Sequence, residues 1–264
     1  MAVEIQNAKC KNQNNNLKLK IFHFGLSFCV LIFGFLICRS AAAYTWQIID
    51  QGFAYTNFGG IHAFQIDPKL FRFSVATAKD FGASDATAAL LVKKSKSILV
   101  VNGGFFSPEH RSLGLLVRDG QTINPLHPTS WWGVFQIIDG KPSIVPQRNF
   151  QRDKNIEIAL QVGPRLVVQG QVQKLKPSID PRSGIGIQKN GNIVIAVTDN
   201  SEMSMTEFAN LFYKSQEEDG LDCTDALNLD GGGSTQLYFK WKGSEVDQPG
   251  LSRIANGIAV FPRR

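Results

Sequence analysis

Three segments of this 264-residue chain repeat one pattern: an apolar run, an Asp-Gly or Asn-Gly pair, and a second apolar run. Asx-Gly pairs accept the positive φ angles of tight hairpin turns, so the pattern predicts three antiparallel hairpins. A chain with this many hairpins does not alternate strands and helices regularly, which argues against a doubly wound nucleotide-binding fold. The segments are residues 115–123, 134–145 and 185–197, with turns at Asp119-Gly120, Asp139-Gly140 and Asn190-Gly191.

Two further segments have strand patterns. Residues 61–67 and 71–77 are rich in apolar and β-branched residues and are joined by a turn at Pro68-Lys69. Helical patterns are fewer, so the predicted fold class is α+β. We expect a strand-rich single domain with a mixed or antiparallel sheet and few helices, after an N-terminal signal segment.

Two helices are predicted. The first runs from Asp85 to Lys96 and has a basic C-terminal end. The second begins at Ser204, because Glu207 follows at the spacing of a capping box, and Asp219-Gly220 offers a stop.

The first 43 residues have the layout of a secretory signal peptide. Four lysines precede an apolar run from Ile21 to Cys38, and the small residues 41–43 follow it. We therefore expect cleavage after Ala43, a mature domain of residues 44–264, and export to the periplasm or the medium. The run of 18 residues is near the lower limit for a bilayer-spanning helix, so an uncleaved membrane anchor is the alternative.

Cleavage changes the meaning of the charge and of the cysteine content. The whole chain has a formal charge of +6 and a pI near 9.2, which by itself favours an anionic partner such as nucleic acid. The signal segment holds five of the 28 basic residues and one of the 22 acidic residues, so 23 against 21 remain and the charge falls to +2. It also holds three of the four cysteines, which leaves Cys223 alone. The mature chain thus has no internal disulfide, and we expect no nucleic-acid partner and no stable membrane span.

Two short apolar runs end in a small polar residue followed by glycines. Residues 98–101 lead into Asn102-Gly103-Gly104-Phe105, and residues 226–229 lead into Asp230-Gly231-Gly232-Gly233-Ser234. Glycines let a ligand approach the backbone, and their N–H groups can form an anion-binding nest. The first run alone favours an ordinary turn, whereas three successive glycines exceed what a turn requires. The second run therefore indicates a site in which Asp230 handles a proton.

Other polar residues are weaker candidates. Arg165 and Arg182 could each bind a phosphate bidentately, although surface ion pairs are the commoner use of arginine. Asp199 follows a predicted strand, and Glu207 fits a helix cap as well as it fits a functional site. The pair Trp131-Trp132 is open between a sugar-stacking platform and core packing.

Four ordered motifs resemble those of the phosphodiester glycosidase family. The resemblance extends from about Trp46 to the strand at 255–261, and the last motif is the most specific. A helix carrying Glu207 precedes that motif, as it does in the family. The four motifs are Asn102–Phe106, Gly163–Val167, Arg182–Gly186 and Ala226–Thr235.

The resemblance implies hydrolysis of a sugar-1-phosphodiester at its glycosidic bond, which releases a free sugar and a phosphomonoester. Asp230 would be the leading acid/base or water-orienting carboxylate, with Glu207 as the second catalytic residue. No cofactor is implied, and a divalent ion at Asp230 or Asp199 stays open. The implied substrate contacts are Asn102, Gly103, Gly104, Phe105, Arg165, Arg182, Asp199, Gly231, Gly232, Gly233 and Ser234.

Two other functions fit the same residues. One is a non-catalytic module that binds phosphosugars or glycans, and the other is a phosphodiesterase that releases sugar-1-phosphate. In every case the expected partner is a sugar phosphodiester or a polysaccharide, and the oligomeric state is not indicated. A single site requires that Asn102, Arg182 and Asp230 come together at one cleft.

Overall fold

The computed structural model describes residues 44–263. The predicted secretory segment, residues 1–43, lies outside the described residues. Within the described part of the chain, no helix has the length and the apolar content needed to cross a bilayer.

The described chain is built mainly of strands. It holds two α-helices, α1 (Ala88–Ser95) and α2 (Met205–Tyr213), and short 3-10 turns at Ala78–Phe81, Gln147–Asn149, Gln216–Glu218 and Gly232–Ser234. The strands are β1 (Gln47–Asp50), β2 (Phe53–Phe58), β3 (Ile61–Ile66), β4 (Phe71–Thr77), β5 (Leu99–Asn102), β6 (Leu116–Arg118), β7 (Gln121–Asn124), β8 (Gly133–Ile138), β9 (Lys141–Pro146), β10 (Ile156–Val162), β11 (Arg165–Val168), β12 (Gln171–Val172), β13 (Ile179–Asp180), β14 (Ser183–Gln188), β15 (Ile193–Thr198), β16 (Met203–Ser204), β17 (Cys223–Asn228), β18 (Leu237–Trp241), β19 (Ser244–Gln248) and β20 (Asn256–Pro262).

These strands form three large sheets and one small one. The eight-stranded sheet has the order β1-β2-β3-β15-β14-β17-β11-β12, and the two five-stranded sheets have the orders β7-β6-β10-β8-β9 and β19-β18-β5-β20-β4. Strands β13 and β16 pair by themselves. Every strand pair among residues 44–263 is antiparallel, as in the pairing of β14 with β17. The expected strand-rich fold is thus confirmed, but with two short helices it is mostly β, and the parallel pairs of a mixed sheet are absent from the described strands.

The three predicted hairpins are confirmed as β6–β7, β8–β9 and β14–β15. At the first two turns both central residues have positive φ, for example 49° at Asp119 and 75° at Gly120. This geometry matches the right-handed twist of the flanking strands. Strands β3 and β4 also form, but they lie in different sheets, so the turn at Pro68-Lys69 is a crossing between sheets and not a hairpin.

Both predicted helices exist with shorter bounds. Helix α1 begins after Thr87, whose hydroxyl accepts a hydrogen bond from the Leu90 N–H, so it starts three residues later than expected. Helix α2 begins after Ser204 with the predicted capping box. It ends at Tyr213, well before the expected stop at Asp219-Gly220, because the backbone at Lys214 is extended, and a separate 3-10 turn follows at residues 216–218.

The inner faces of the three large sheets share one hydrophobic core. Phe64 comes from the eight-stranded sheet, Phe135 from one five-stranded sheet and Phe239 from the other, and all are fully buried. Helix α2 packs on the outer face of the eight-stranded sheet, where β14 has glycine at positions 184 and 186. A Cβ at Gly184 would meet the ring of Phe212 at 2.7 Å, so this close helix–sheet contact requires glycine.

Candidate active site

A cleft opens where strands from two different sheets end side by side. Strand β5 ends at Asn102, and the chain leaving β17 reaches Asp230. The Asp230 N–H donates to the Gly103 carbonyl at 3.0 Å, which joins the two strand ends directly. The cleft beside them has a volume of about 730 Å³, which is in the range of small-molecule sites. It is lined by Phe105, Trp131, Gly163, Pro164, Lys174, Leu175, Lys176, Ser178, Asp180, Arg182, Met205, Asn228, Asp230, Gly231 and Gly232.

Asp230 presents a partly desolvated carboxylate to this cleft. Burial raises the pKa of Asp230 above its ordinary value, and hydrogen bonds from the Ser234 hydroxyl and the Gly231 N–H offset part of that rise. A raised pKa makes the carboxylate a stronger base, so it is better matched to proton transfer near neutral pH.

Asn102 lies behind Asp230 and does not line the cleft. Its side chain is fully buried, and its Nδ2 donates to the Asp230 carbonyl at 2.6 Å. Its Oδ1 accepts from the Ser183 hydroxyl at 2.6 Å and from the Gln236 N–H at 3.1 Å. Every hydrogen-bonding position of the amide oxygen and one of the amide nitrogen are thus occupied by protein, so Asn102 positions Asp230 instead of contacting a ligand.

The glycines after Asn102 are packed against protein. The Asn256 side chain accepts from the Gly104 N–H at 2.8 Å, and a Cβ at Gly103 would overlap with the same Asn256 oxygen. Of the predicted wall formed by residues 102–105, only Phe105 reaches the cleft. The need for glycine here comes from close packing.

The glycines after Asp230 are more open. Gly231 and Gly232 line the cleft, and Gly232 has φ of 59° with nothing near the position of a Cβ. The Gly232 N–H is nevertheless occupied, since it donates to the Pro181 carbonyl at 2.9 Å, and the Gly231 N–H lowers the pKa of the neighbouring Asp230 carboxylate. Gly233 packs against Ser252, and Ser234 is buried beneath Asp230. This loop therefore shapes the cleft without forming the free anion nest that its sequence suggests.

Arg182 supplies the buried positive charge of the cleft. Its Nε donates to the Met203 carbonyl at 3.0 Å, and its Nη2 donates to the Ser178 carbonyl and hydroxyl at 2.8 and 2.7 Å. Asp180 lies 3.4 Å from the same Nη2. Burial lowers the pKa of the guanidinium, and the Asp180 charge opposes that shift. The remaining Nη1 is near the cleft-lining Gly231, 3.8 Å from where its Cβ would lie.

Three other predicted site residues lie away from the lining of the cleft. Arg165 packs along Gly133 and Leu227, and its pKa is lowered by burial and by nearby Arg148. Asp199 lies against the β2–β3 turn beside Gly60. Glu207 is exposed, and its carboxylate accepts from the Ser204 N–H at 3.0 Å as part of the helix cap. Their predicted roles in substrate binding and catalysis stay predictions without support from the geometry.

Several cleft residues were not predicted from the sequence. Asn228 lies two residues before Asp230, and the alternation of side chains in an extended strand could have indicated that both face the same side. Trp131 is 55% exposed whereas Trp132 is 7% exposed, so only Trp131 has a surface that a ligand could contact. Five more come from the segment that leads into β13 and carries no motif. They are Lys174, Leu175, Lys176, Ser178 and Asp180, the last of which is on β13 itself.

Residues suited to holding a metal do not converge in the described chain. Among residues 44–263, no group of three or more His, Cys, Asp or Glu side chains forms a metal site. Cys223 is buried, and burial raises the pKa of its thiol, which fits packing against α2 and does not suit a nucleophile.

Comparison with known proteins decides the family. The model of the phosphodiester glycosidase family matches residues 95–261. The chain belongs to this family. The matched region contains Asp230, Arg182 and both strand-to-glycine segments. The resemblance seen in the sequence motifs is thereby confirmed.

A curated relative is the uncharacterized protein YigE of Escherichia coli K12. It is 27% identical over 154 residues, which cover 52% of this chain and 61% of YigE. The chain therefore matches about three fifths of that relative's length.

Solved structures share the fold. The catalytic domain of zebrafish N-acetylglucosamine-1-phosphodiester alpha-N-acetylglucosaminidase, auto-inhibited by its pro-peptide, superposes with a TM-score of 0.61 at 15% identity, covering 83% of this chain and 82% of that one. A hypothetical protein from Synechocystis gives 0.56 at 16% identity, covering 83% and 64%. A Burkholderia pseudomallei K96243 protein, provisionally described as exported, gives 0.50 at 12% identity, covering 80% and 74%.

Proposed function

We propose that the protein is an exported hydrolase that cleaves the glycosidic bond of sugar-1-phosphodiesters and releases a free sugar and a phosphomonoester. One observation carries the proposal: a carboxylate with a raised pKa, Asp230, and a buried guanidinium, Arg182, line the same cleft. Membership of the phosphodiester glycosidase family supports the reaction class. The signal-like N-terminal sequence and the fold shared with the Burkholderia protein support export.

In the proposed reaction, a water molecule attacks the anomeric carbon of the sugar. Asp230 accepts a proton from this water while the bond between the anomeric carbon and the phosphate oxygen breaks. The sugar gains the hydroxyl, and the phosphate departs with the bridging oxygen as a phosphomonoester. The proton held by Asp230 then passes to solvent, which restores the carboxylate.

Arg182 is suited to the charge of the departing phosphate. A preorganised guanidinium in a partly water-excluded site stabilises the developing negative charge without reorganising. Four contacts to Met203, Ser178 and Asp180 hold the guanidinium, and Nη1 has no hydrogen-bond partner among residues 44–263, so it is available to the substrate. A phosphate leaving group is weakly basic, so anion stabilisation contributes more than protonation by a second acid.

The geometry gives Glu207 no part in this scheme. Its carboxylate caps α2 and is exposed, and hydrogen bonds from Ser204 lower its pKa. Asp180, which also lines the cleft, is paired with Arg182. Asp230 is therefore the carboxylate that we assign to water activation.

The test is an assay of the purified protein with an alkyl phospho-N-acetylglucosamine and identification of both products. We expect free sugar and alkyl phosphate, and an Asp230→Asn loss of about 10²- to 10⁴-fold in kcat/KM. Activity should also fall as the pH is lowered through the raised pKa of Asp230, because the protonated carboxyl cannot accept a proton.

The matched control is Asp225→Asn. Asp225 is on β17, the strand that leads to Asp230, but its carboxylate accepts from the Gln169 N–H and does not line the cleft. We expect it to keep nearly full activity. Release of sugar-1-phosphate would instead identify a phosphodiesterase. Saturable binding without any product would identify a binding module, and full activity in Asp230→Asn would refute the role given to that residue.

A further inference from the structure

Two groups of cleft-lining residues, each joined by its own contacts, differ in chemistry. In the first, Arg182 contacts Ser178 and Asp180, and we call these three residues the arginine wall; Lys174 and Lys176 line the cleft as well. The other consists of Phe105, Trp131 and Asn228, and we call it the aromatic wall. Asn228 belongs to the aromatic wall because its amide contacts Gly163, whose backbone packs against Trp131 and Trp132. A substrate with one anionic and one neutral half can distinguish such walls.

Trp131 contacts two other aromatic side chains and is still largely exposed. Its ring centroid is 5.6 Å from that of Trp132 at an interplanar angle of 85°, and 6.3 Å from that of Phe105. More than half of the residue remains open, in a cleft-lining position. A large aromatic group that packs against other rings and is left exposed at a cleft is typical of a ligand contact. The C–H face of a pyranose ring is a suitable partner for an indole.

Asn228 carries an unsatisfied hydrogen-bond acceptor. Its Nδ2 donates to the Leu229 carbonyl at 2.5 Å and to the Gly163 carbonyl at 3.4 Å, which fixes the amide orientation. Its Oδ1 is buried and has no hydrogen-bond partner among the described residues. A buried unpaired acceptor is unfavourable, so the site gains when a donor arrives. Sugar hydroxyls and acetamido N–H groups are donors, whereas the oxygens of a phosphodiester anion are only acceptors.

We propose that the aromatic wall is the subsite for the sugar ring, with Trp131 stacked on the ring and Asn228 Oδ1 accepting from a hydroxyl or amide N–H. This inference rests on the proposed function and refines it. The phosphate then binds toward the arginine wall, and the anomeric carbon lies beside Asp230, which lines the same cleft.

The first test measures sugar binding without turnover. Isothermal calorimetry on the purified protein uses free N-acetylglucosamine, N-acetylgalactosamine, glucose, galactose and mannose as probes. We expect saturable binding of at least one sugar, a loss of about tenfold or more in Trp131→Ala, and affinity within a few-fold of wild type in Trp131→Phe, which keeps an aromatic face. Trp241→Phe is the matched control, since Trp241 packs on Phe53 and Phe71 and does not line the cleft.

Two results would overturn the stacking role. One is unchanged sugar affinity in Trp131→Ala, and the other is the absence of binding by every sugar tested. A kinetic comparison separates the sugar from the other substituent: methyl and long-chain alkyl phosphodiesters of one sugar should lose kcat/KM equally in Trp131→Ala. A loss that grows with the length of the alkyl chain would mean that Trp131 contacts the alkyl group.

The second test addresses Asn228 through deoxy analogues of the best-binding sugar. Wild type should reject one analogue by about 10- to 100-fold, and Asn228→Ala should bind the parent sugar and that analogue alike. Asn228→Asp, whose protonated form keeps both an acceptor and a donor, should restore discrimination as the pH is lowered. If Asn228 has a purely structural role, Asn228→Ala should weaken the binding of every sugar by the same factor. The ratio of the affinities for the parent sugar and the deoxy analogue would then stay as in wild type.

These tests fail separately from the proposed function. Sugar binding that depends on Trp131 without turnover of any phosphodiester would refute hydrolysis and support the subsite. Turnover with unchanged sugar discrimination in both Trp131→Ala and Asn228→Ala would support hydrolysis and refute the subsite.

Discussion

The segments that follow β5 and β17 are similar in sequence and opposite in structure. Asn102-Gly103-Gly104 is closed: its amide is fully buried, and its glycines pack on Asn256. Asp230-Gly231-Gly232 is open: its carboxylate and glycines line the cleft. The two are joined by hydrogen bonds in both directions, so the first segment is the support of the second.

This difference shows that glycine alone does not indicate a binding loop. Glycine is required after Asn102 because protein atoms fill the space of a Cβ, and at Gly232 because the backbone has positive φ. The two requirements predict different consequences of substitution, so the comparison can be tested by mutation.

The largest effect on stability is expected from Asn102→Ala. The substitution leaves the Asp230 carbonyl, the Ser183 hydroxyl and the Gln236 N–H without partners. At about 1–3 kcal/mol for each unpaired buried group, the free energy of unfolding should fall by about 3 kcal/mol or more. Urea denaturation of wild type and variant measures this, with Asn57→Ala, an exposed amide, as the control. A loss below about 1 kcal/mol would contradict the supporting role.

Smaller losses of stability are expected when alanine replaces a tightly packed glycine, Gly103, or a glycine with positive φ, Gly232, and the two losses should differ. Gly103→Ala forces the Asn256 side chain away, and overpacking of this type costs about 1–3 kcal/mol. Gly232→Ala meets no atoms and pays only for positive φ, about 1 kcal/mol. Thermal unfolding should therefore rank Gly103→Ala as the less stable variant. The reverse order would mean that the open loop is the more constrained of the two.

The smallest expected effect on stability is that of Asp230→Asn. We expect this substitution to increase the free energy of unfolding. Because burial raises the pKa of Asp230, the folded state binds its proton more tightly than the unfolded state does. The free energy of unfolding of wild type therefore falls as pH rises from the ordinary Asp pKa through the raised value.

The amide introduced by Asp230→Asn carries no charge, so the free energy of unfolding of the variant does not fall in this way as pH rises. The variant should be more stable than wild type at neutral pH, and the difference should shrink in acid below the ordinary Asp pKa. Urea titrations at a series of pH values test the sign. If the variant is less stable than wild type at neutral pH, the contacts of the carboxylate stabilise the folded state by more than burial of its charge destabilises it.

Local patterns predicted local structure well. The Asx-Gly turns, the strands and the Ser204–Glu207 helix cap depend on neighbouring residues and were all found. The placement of β4 in a different sheet from β3 could not be predicted, because no local signal distinguishes a hairpin turn from a crossing between sheets.

The candidate site was predicted only in part, because some of its features depend on residues that are distant in sequence. Asp230 and Arg182 could be chosen from chemistry and family resemblance, and they line one cleft. The burial of Asn102 depends on Ser183 and Gln236, which are distant in sequence. The exposure of Trp131 and the contribution of the loop that carries Lys174 depend on how the sheets dock. Such properties follow only from tertiary packing.

The bond from Asn102 to the Asp230 carbonyl spans 128 positions in the chain, and the Asn256 amide reaches 152 positions back to Gly104. During synthesis, strand β5 must therefore wait for strands made much later before its partners exist. A nascent chain that stops short of Asn256 has every residue of the proposed chemistry and still lacks the scaffold that aligns them. Strand β20 therefore supplies the last contacts of the scaffold that lies behind Asp230.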